Sequence, residues 1–220
     1  MKKLKIFIAC DTTNLSRVKK IIDQTQSRKI KIGYKFGLEF MNSKNGRQFI
    51  TKLKNKIIFV DLKLNDTVNT MTSAVKALKD IKINYLTVHI SSGLAALKAV
   101  KKISGKTKII GVTTLTSLNN KDLKLIGYNK SVKNLVIHQA KLAKKAALDA
   151  IVCSPYEVNA VRKIFKNEII TPGIQMGKKN YDQKRSMEAK KVNSDWLVIG
   201  RAVTQGNIKK NIRNLTKELR

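Results

Sequence analysis

A (β/α)8 barrel forming a single domain over residues 1–220 is the fold this sequence predicts. Three observations predict it. β-like and helix-like segments alternate eight times from end to end. The β-like segments are continuous Ile/Val/Leu runs, the pattern of parallel strands buried on both faces. A length of 220 residues accommodates eight such units with no linker and no second domain. An open doubly wound sheet is the structural runner-up, but no G-x-G-x-x-G follows the first strand.

The elements read in order as follows. "KIFIACD" (5–11) precedes the helical "NLSRVKKIIDQTQ", and "KIKIGY" (29–34) precedes "GRQFITKLKN". "KIIFVDLKL" (56–64) precedes "TVNTMTSAVKALKDI", and "YLTVHIS" (85–91) precedes "GLAALKAVKKIS". "TKIIGVTTL" (107–115) leads through a loop (116–131) to "VKNLVIHQAKLAKKAAL", where apolar residues recur at helical spacings of three and four. "DAIVCSP" (149–155) precedes "YEVNAVRKIFK"; "EIITPGI" (168–174) precedes a polar loop (175–186) and "SMEAKKVN"; "DWLVIG" (195–200) precedes "NIKKNIRNLTKEL". The two long loops are candidate functional segments.

Composition narrows the class. A hydrophobic share of 42%, with two prolines and 11 glycines, supports a packed core. Apolar runs such as "WLVIG" are too short to cross a bilayer. "MKKLKIFIACD" has basic residues before an apolar run, but that run is short, ends at Asp11 and lacks a cleavage site, so it reads as the first strand of a cytoplasmic protein. Cys10 and Cys153 read as buried thiols, and His89 and His138 are too few and too distant for a zinc site. The net charge of +32 invites a nucleic-acid reading. Against it, the lysines are scattered, only eight of the 46 basic residues are Arg, and few aromatics are interleaved. A solvated lysine-rich surface that attracts small anions is the simpler reading, with no specific nucleic-acid partner.

Active sites of such barrels gather at the C-terminal ends of the strands. The polar residues expected there are Asp11, Lys31, Asp61, Lys63, Asp66, His89, Thr116, Ser117, Gln175, Gly200 and Arg201. Asp61 and Lys63 are two apart and share a face of one strand. A structural ion pair at the barrel mouth explains those two equally well. Asp11 and Lys31 on neighbouring strands turn the pair into a charge array, and such arrays concentrate at active sites. The loops after strands 7 and 8, "TPGIQMG" and "IGRAVTQGN", are placed to hold a phosphate through backbone N–H groups near Gly200 and the guanidinium of Arg201. Gln183 is a candidate lid residue above them.

At these residues the sequence resembles the orotidine 5′-phosphate decarboxylases of the short bacterial type, over almost the whole chain and in order. "DLKLND" is similar to the family's D-x-K-x-x-D signature; "IACD", "KIG" (31–33), "VHISSG", "GVTTLTSL", "VCSPYE", "TPGI" and "VIGRAVTQ" resemble further family segments. D-x-K-x-x-D is shared with Mg²⁺-dependent sugar-phosphate relatives, which carry an acid at strand 2 where "KIG" supplies Lys31. The resemblance implies conversion of orotidine 5′-monophosphate to UMP and CO2 without metal or cofactor. It implies that Lys63 protonates the pyrimidine at C6 and that Lys31, Asp61 and Asp66 hold it in a charge network. It implies a homodimer in which Asp66 and Thr70 complete the partner's site. Asp11 would bind the ribose, Thr116 the base, and Gln183, Gly200 and Arg201 the phosphate. The chain departs from the family pattern at Thr67-Val68, where Ile-Pro is usual, at Asn65, often His, and at Gln175, where Arg is common.

Overall fold

Eight parallel strands close into a barrel in the computed structural model, which describes residues 5–175, 187–188 and 192–218. In chain order they are β1 (Lys5–Ala9), β2 (Lys31–Gly37), β3 (Ile57–Leu64), β4 (Tyr85–His89), β5 (Lys108–Val112), β6 (Ala150–Val152), β7 (Glu168–Thr171) and β10 (Trp196–Ile199). Each pairs with the next, and β1 closes the ring against β2 and β10. A separate two-stranded ribbon joins β8 (Ile174–Gln175) to β9 (Met187–Glu188). The crossover helices are α1 (Leu15–Gln24), the short pair α2 (Leu38–Met41) and α3 (Gly46–Thr51), α4 (Val68–Ala77), α5 (Gly93–Ile103), α6 (Asn120–Leu125), α7 (Val132–Lys145), α8 (Val158–Ile164), α9 (Arg201–Thr204) and α10 (Ile208–Glu218).

Three sequence expectations change. The second strand, expected over 29–34, runs instead from Lys31 to Gly37, which moves its C-terminal end three residues on. The loop expected over 116–131 contains α6, started by a capping box between Asn119 and Asp122. Where a helix was expected in "SMEAKKVN", Met187–Glu188 form β9, and 186 and 189–191 lie outside the described residues.

Strand parity sorts the core into two compartments. Outside the barrel, Ile6, Ile8, Val60, Leu86 and Val88 pack against the helices. Inside, Phe7, Phe59, Tyr85 and Trp196 fill the lumen with Ile110, Ala150 and Ile170. Phe7 stacks on Trp196 at 4.1 Å between centroids and meets Phe59 and Tyr85 edge-on at 4.9 and 5.2 Å. Gly33 makes room for it: a Cβ there would lie 2.7 Å from two carbons of the Phe7 ring. Burial of each such ring contributes about 1.5–3 kcal/mol.

A device recurs where strands enter the barrel. The side chains of Asn84, Asp149 and Asp195, each just before a strand, accept the backbone N–H of Ile58, Ile109 and Ile169 on the preceding strand, at 2.7–2.9 Å. Lys101 and Arg162 neutralise the two carboxylates.

Glu168, at the start of β7, closes the barrel floor. It accepts from Lys5 and Lys108 Nζ and Tyr85 Oη at 2.9 Å, and from Trp196 Nε1 at 3.2 Å. Burial alone would raise its carboxyl, but the bonds from Lys108, Lys5, Tyr85 and Trp196 outweigh it and hold the pKa at about 2. Because the folded value is depressed, the stabilisation is full above the ordinary carboxyl range and is lost as pH falls towards 2. Glu168→Gln is therefore expected to lower unfolding free energy by about 1–3 kcal/mol at neutral pH. The deficit should shrink steadily in urea titrations run below pH 4.5, the ordinary value of this carboxyl.

Candidate active site

At the opposite end of the barrel the inward columns of β1, β2 and β3 turn from apolar to charged. The register aligns Phe7, Gly33 and Ile57 in one layer, and Ala9, Lys35 and Phe59 in the next. Above them come Asp61 on β3 and Asp11, just past the end of β1. Lys35 Nζ lies 3.1 Å from Asp11 Oδ1 and 3.5 Å from Asp61 Oδ2. Lys63 Nζ lies 2.9 Å from the same Asp61 oxygen. The four side chains thus form a string of alternating charge, Asp11–Lys35–Asp61–Lys63.

Lys35 holds the place that the sequence reading gave to Lys31. Lys31 is exposed and stands at the first position of β2, opposite Lys5 near the barrel floor. Lys35 is four residues on, so it shares the same face about 13 Å further along the strand. Parity allows either residue; the longer strand decides for Lys35.

Burial and pairing set the charges. For Lys35, burial opposes the ammonium, yet Asp61 and Asp11 outweigh it and raise its pKa. For Asp61, burial favours the neutral acid, but Lys35, Lys63 and the Thr87 hydroxyl hold its carboxyl below the ordinary range. His89, half-buried at the end of β4, is pushed down by burial and then by Lys63.

Lys63 carries an unusual backbone. Its φ is +51°, a region that β-carbon sterics disfavour, and the β3–β4 register slips between Val60 and Leu64. Its backbone N–H donates to Thr87 Oγ1 at 2.9 Å, and Thr87 in turn donates to Asp61 Oδ1 at 2.9 Å.

The charged string lines a cavity of about 550 Å³. Asp11, Lys35, Asp61 and Lys63 share it with Thr116 after β5 and with Gly200 and Arg201 after β10. Val112, Val152, Ile174 and Val198 give it an apolar wall. Arg17 on α1 also lines it and donates to Thr204 O at 2.9 Å. Sequence reasoning missed Lys35, Arg17 and Thr87. Arg17 looks like any other surface cation of this chain, and Thr87 like any strand threonine.

Other expected residues stand apart. Asp66 is exposed beyond the end of β3, accepts from Thr67 N at 2.6 Å, and is not among the cavity residues. Thr70, exposed on α4, bonds to Thr67 at 3.1 Å. Exposed Leu38 and Val68 start α2 and α4, after β2 and β3. Ser117 is exposed. The backbone of Gln175 belongs to β8, and Gln183 lies outside the described residues.

The family model for orotidine 5′-phosphate decarboxylase / HUMPS matches residues 4–212. The chain belongs to that family. Among its relatives is the orotidine 5′-phosphate decarboxylase of Wolbachia pipientis subsp. Culex pipiens (strain wPip), 42% identical, with 92% of each chain covered. That of Sphingopyxis alaskensis is 38% identical, again over 92% of each. Among solved structures, orotidine 5′-phosphate decarboxylase from Lactobacillus acidophilus superposes with a TM-score of 0.83 at 28% identity, covering 99% of both chains.

The string makes a direct contrast testable. Lys35→Ala, which leaves Asp11 and half of the Asp61 pairing unmet, is expected to cost about 1–3 kcal/mol in urea unfolding. Lys31→Ala should stay within about 0.5 kcal/mol of the parent. Equal effects of the two would remove Lys35 from its assigned place.

Proposed function

We propose that this chain decarboxylates orotidine 5′-monophosphate to UMP and CO2, with Lys63 as the proton donor. The observation that carries the reading is the Asp11–Lys35–Asp61–Lys63 string at the mouth of a family barrel. Loss of CO2 leaves the bonding electron pair on C6 of the pyrimidine, with no adjacent carbonyl to delocalise it. A pre-placed cation is then the available means of stabilising the charge. The Lys63 ammonium lies over the cavity, faces the nascent carbanion, transfers a proton to C6 and regains one from solvent. Asp61 holds it aimed, and Lys35 pairs with the same carboxylate oxygen. Asp61 also neighbours the departing carboxylate.

Asp11 holds the ribose and Thr116 the base. Gly200 and Arg201 grip the phosphate, with Gln175 and Gln183 as further candidate contacts to it. Binding energy from that remote group drives orientation at C6. Asp66 and Thr70, exposed after β3, reach the partner's cavity in a homodimer, and exposed Val68 and Leu38 supply apolar contact for it. In this scheme the reaction uses no metal or cofactor, and both mouth carboxylates pair with ammonium groups. No described helix is long and apolar enough to cross a membrane, and both cysteines are free and buried, which suits a cytoplasmic enzyme.

Loss of orotidylate absorbance, followed with and without chelator, tests the reaction. Turnover should survive chelation; a requirement for Mg²⁺ would favour the sugar-phosphate branch instead. Lys63→Ala should lower kcat by at least about 10³-fold with the fold retained. Arg201→Ala should act mainly on KM. Shared sites have their own signature. Mixing inactive Lys63→Ala and Asp66→Asn subunits should restore up to about a quarter of wild-type activity, since half the random dimers hold one intact site. No recovery on mixing would place Asp66 in its own subunit's site or in none.

A further inference from the structure

We propose that Thr87 is a positioning residue for the decarboxylation: its hydroxyl ties the Lys63 backbone to the Asp61 carboxylate and so holds the ammonium at the reacting carbon. This rests on the decarboxylase reading above.

Thr87 lies two residues after Tyr85 on β4, so it faces the lumen one layer above that ring, fully buried. The adjoining strand is irregular here. Between the pairs Val60–Leu86 and Leu64–Val88, β3 advances four residues while β4 advances two. Asp61, Leu62 and Lys63 therefore face a stretch of β4 containing only Thr87, and the usual strand-to-strand ladder cannot serve all of them. The Thr87 side chain takes over that part. Its oxygen accepts the Lys63 N–H, and its O–H donates to Asp61 Oδ1.

The direction of both bonds is fixed by charge. Asp61, paired with two ammonium groups, is ionised and can only accept. The single hydroxyl proton must go to it, which leaves the oxygen free for the amide, and each bond polarises the other in the same sense. With Oδ1 taken by Thr87, Oδ2 is left to face both Lys35 and Lys63. One hydroxyl thus sets the Asp61 rotamer and stabilises the φ of +51° that turns Lys63 back over the cavity.

The test compares Thr87→Val with Thr87→Ser. Valine keeps the shape and removes both bonds, and kcat should fall about 10–100-fold, as expected for a misplaced reacting group. KM should move less than about threefold, because Thr87 makes no contact with substrate in this scheme. Serine should restore kcat to within about fivefold of wild type, since it keeps donor and acceptor. The Asp61 carboxyl, followed by ¹³C NMR, should titrate higher in Thr87→Val than in wild type or Thr87→Ser. If the valine variant does not fold, Thr87→Cys, with its weak S–H donor, should show the same changes in smaller measure. A valine variant with kcat within about twofold of wild type would overturn the proposal. So would equal losses in valine and serine variants with Asp61 titrating unchanged. Absence of turnover by the unaltered chain would refute the decarboxylase reading alone, and the Asp61 titration would still decide the role of Thr87.

Discussion

Asp61 is a carboxylate taken out of water, and the mouth of the barrel is arranged around that cost. Removing an ion from solvent costs several kcal/mol unless charge and hydrogen bonds replace the water. Here Lys35 and Lys63 meet one oxygen and Thr87 the other. Those contacts dictate the neighbourhood. Lys35 must rise from β2 one layer above Gly33, whose missing side chain admits Phe7 below. β3 leaves its regular ladder between Val60 and Leu64, and the Thr87 hydroxyl bonds both the Lys63 backbone and the Asp61 carboxylate there. The lumen rings beneath keep water from reaching the string from below.

The chain carries 14 acids against 46 basic residues. Several of the acids sit where the geometry uses a carboxylate. Glu168 gathers four donors on the barrel floor. Asp149 and Asp195 anchor strand entries, Asp122 caps α6, and buried Glu157 accepts from the Ser154 hydroxyl. Exposed lysines are tolerated because solvent and salt screen them from one another. Most of the lysines lie exposed on the surface.

This division marks what could be read from the sequence. Eight buried strand runs announced the barrel, and Asp61 with Lys63 announced the mouth, because both signals are local and periodic. Strand 2 resisted because Lys31 and Lys35 have the same parity; only the register with β1 and β3 separates floor from mouth. The helix α6 was legible in "NNKD", whose Asn and Asp are three apart as a capping box requires, but the polar run around it masked the signal. Thr87 could not have been found. Its importance arises from a register slip between two strands, and a slip of that kind has no mark in either strand taken alone.

The electrostatics of the string also say where pH can and cannot act. Asp61 has a depressed folded pKa, so its pairing is complete above the ordinary carboxylate range and fails only as pH falls through the lower folded value. Lys35 has a raised one, so its pairing is complete below the ordinary ammonium range and fails only as pH rises beyond it. Between those limits the two charges do not change. His89, at the end of β4, is pushed below the ordinary imidazole value by burial and then by Lys63. Asp61 and Lys35 thus present fixed charges to the mouth across neutral pH. A phosphate monoester has its second ionisation near pH 6, so a ligand of that class brings its own charge event into this range. On the proposed decarboxylase reading, that event stays apart from the charges of Asp61 and Lys35.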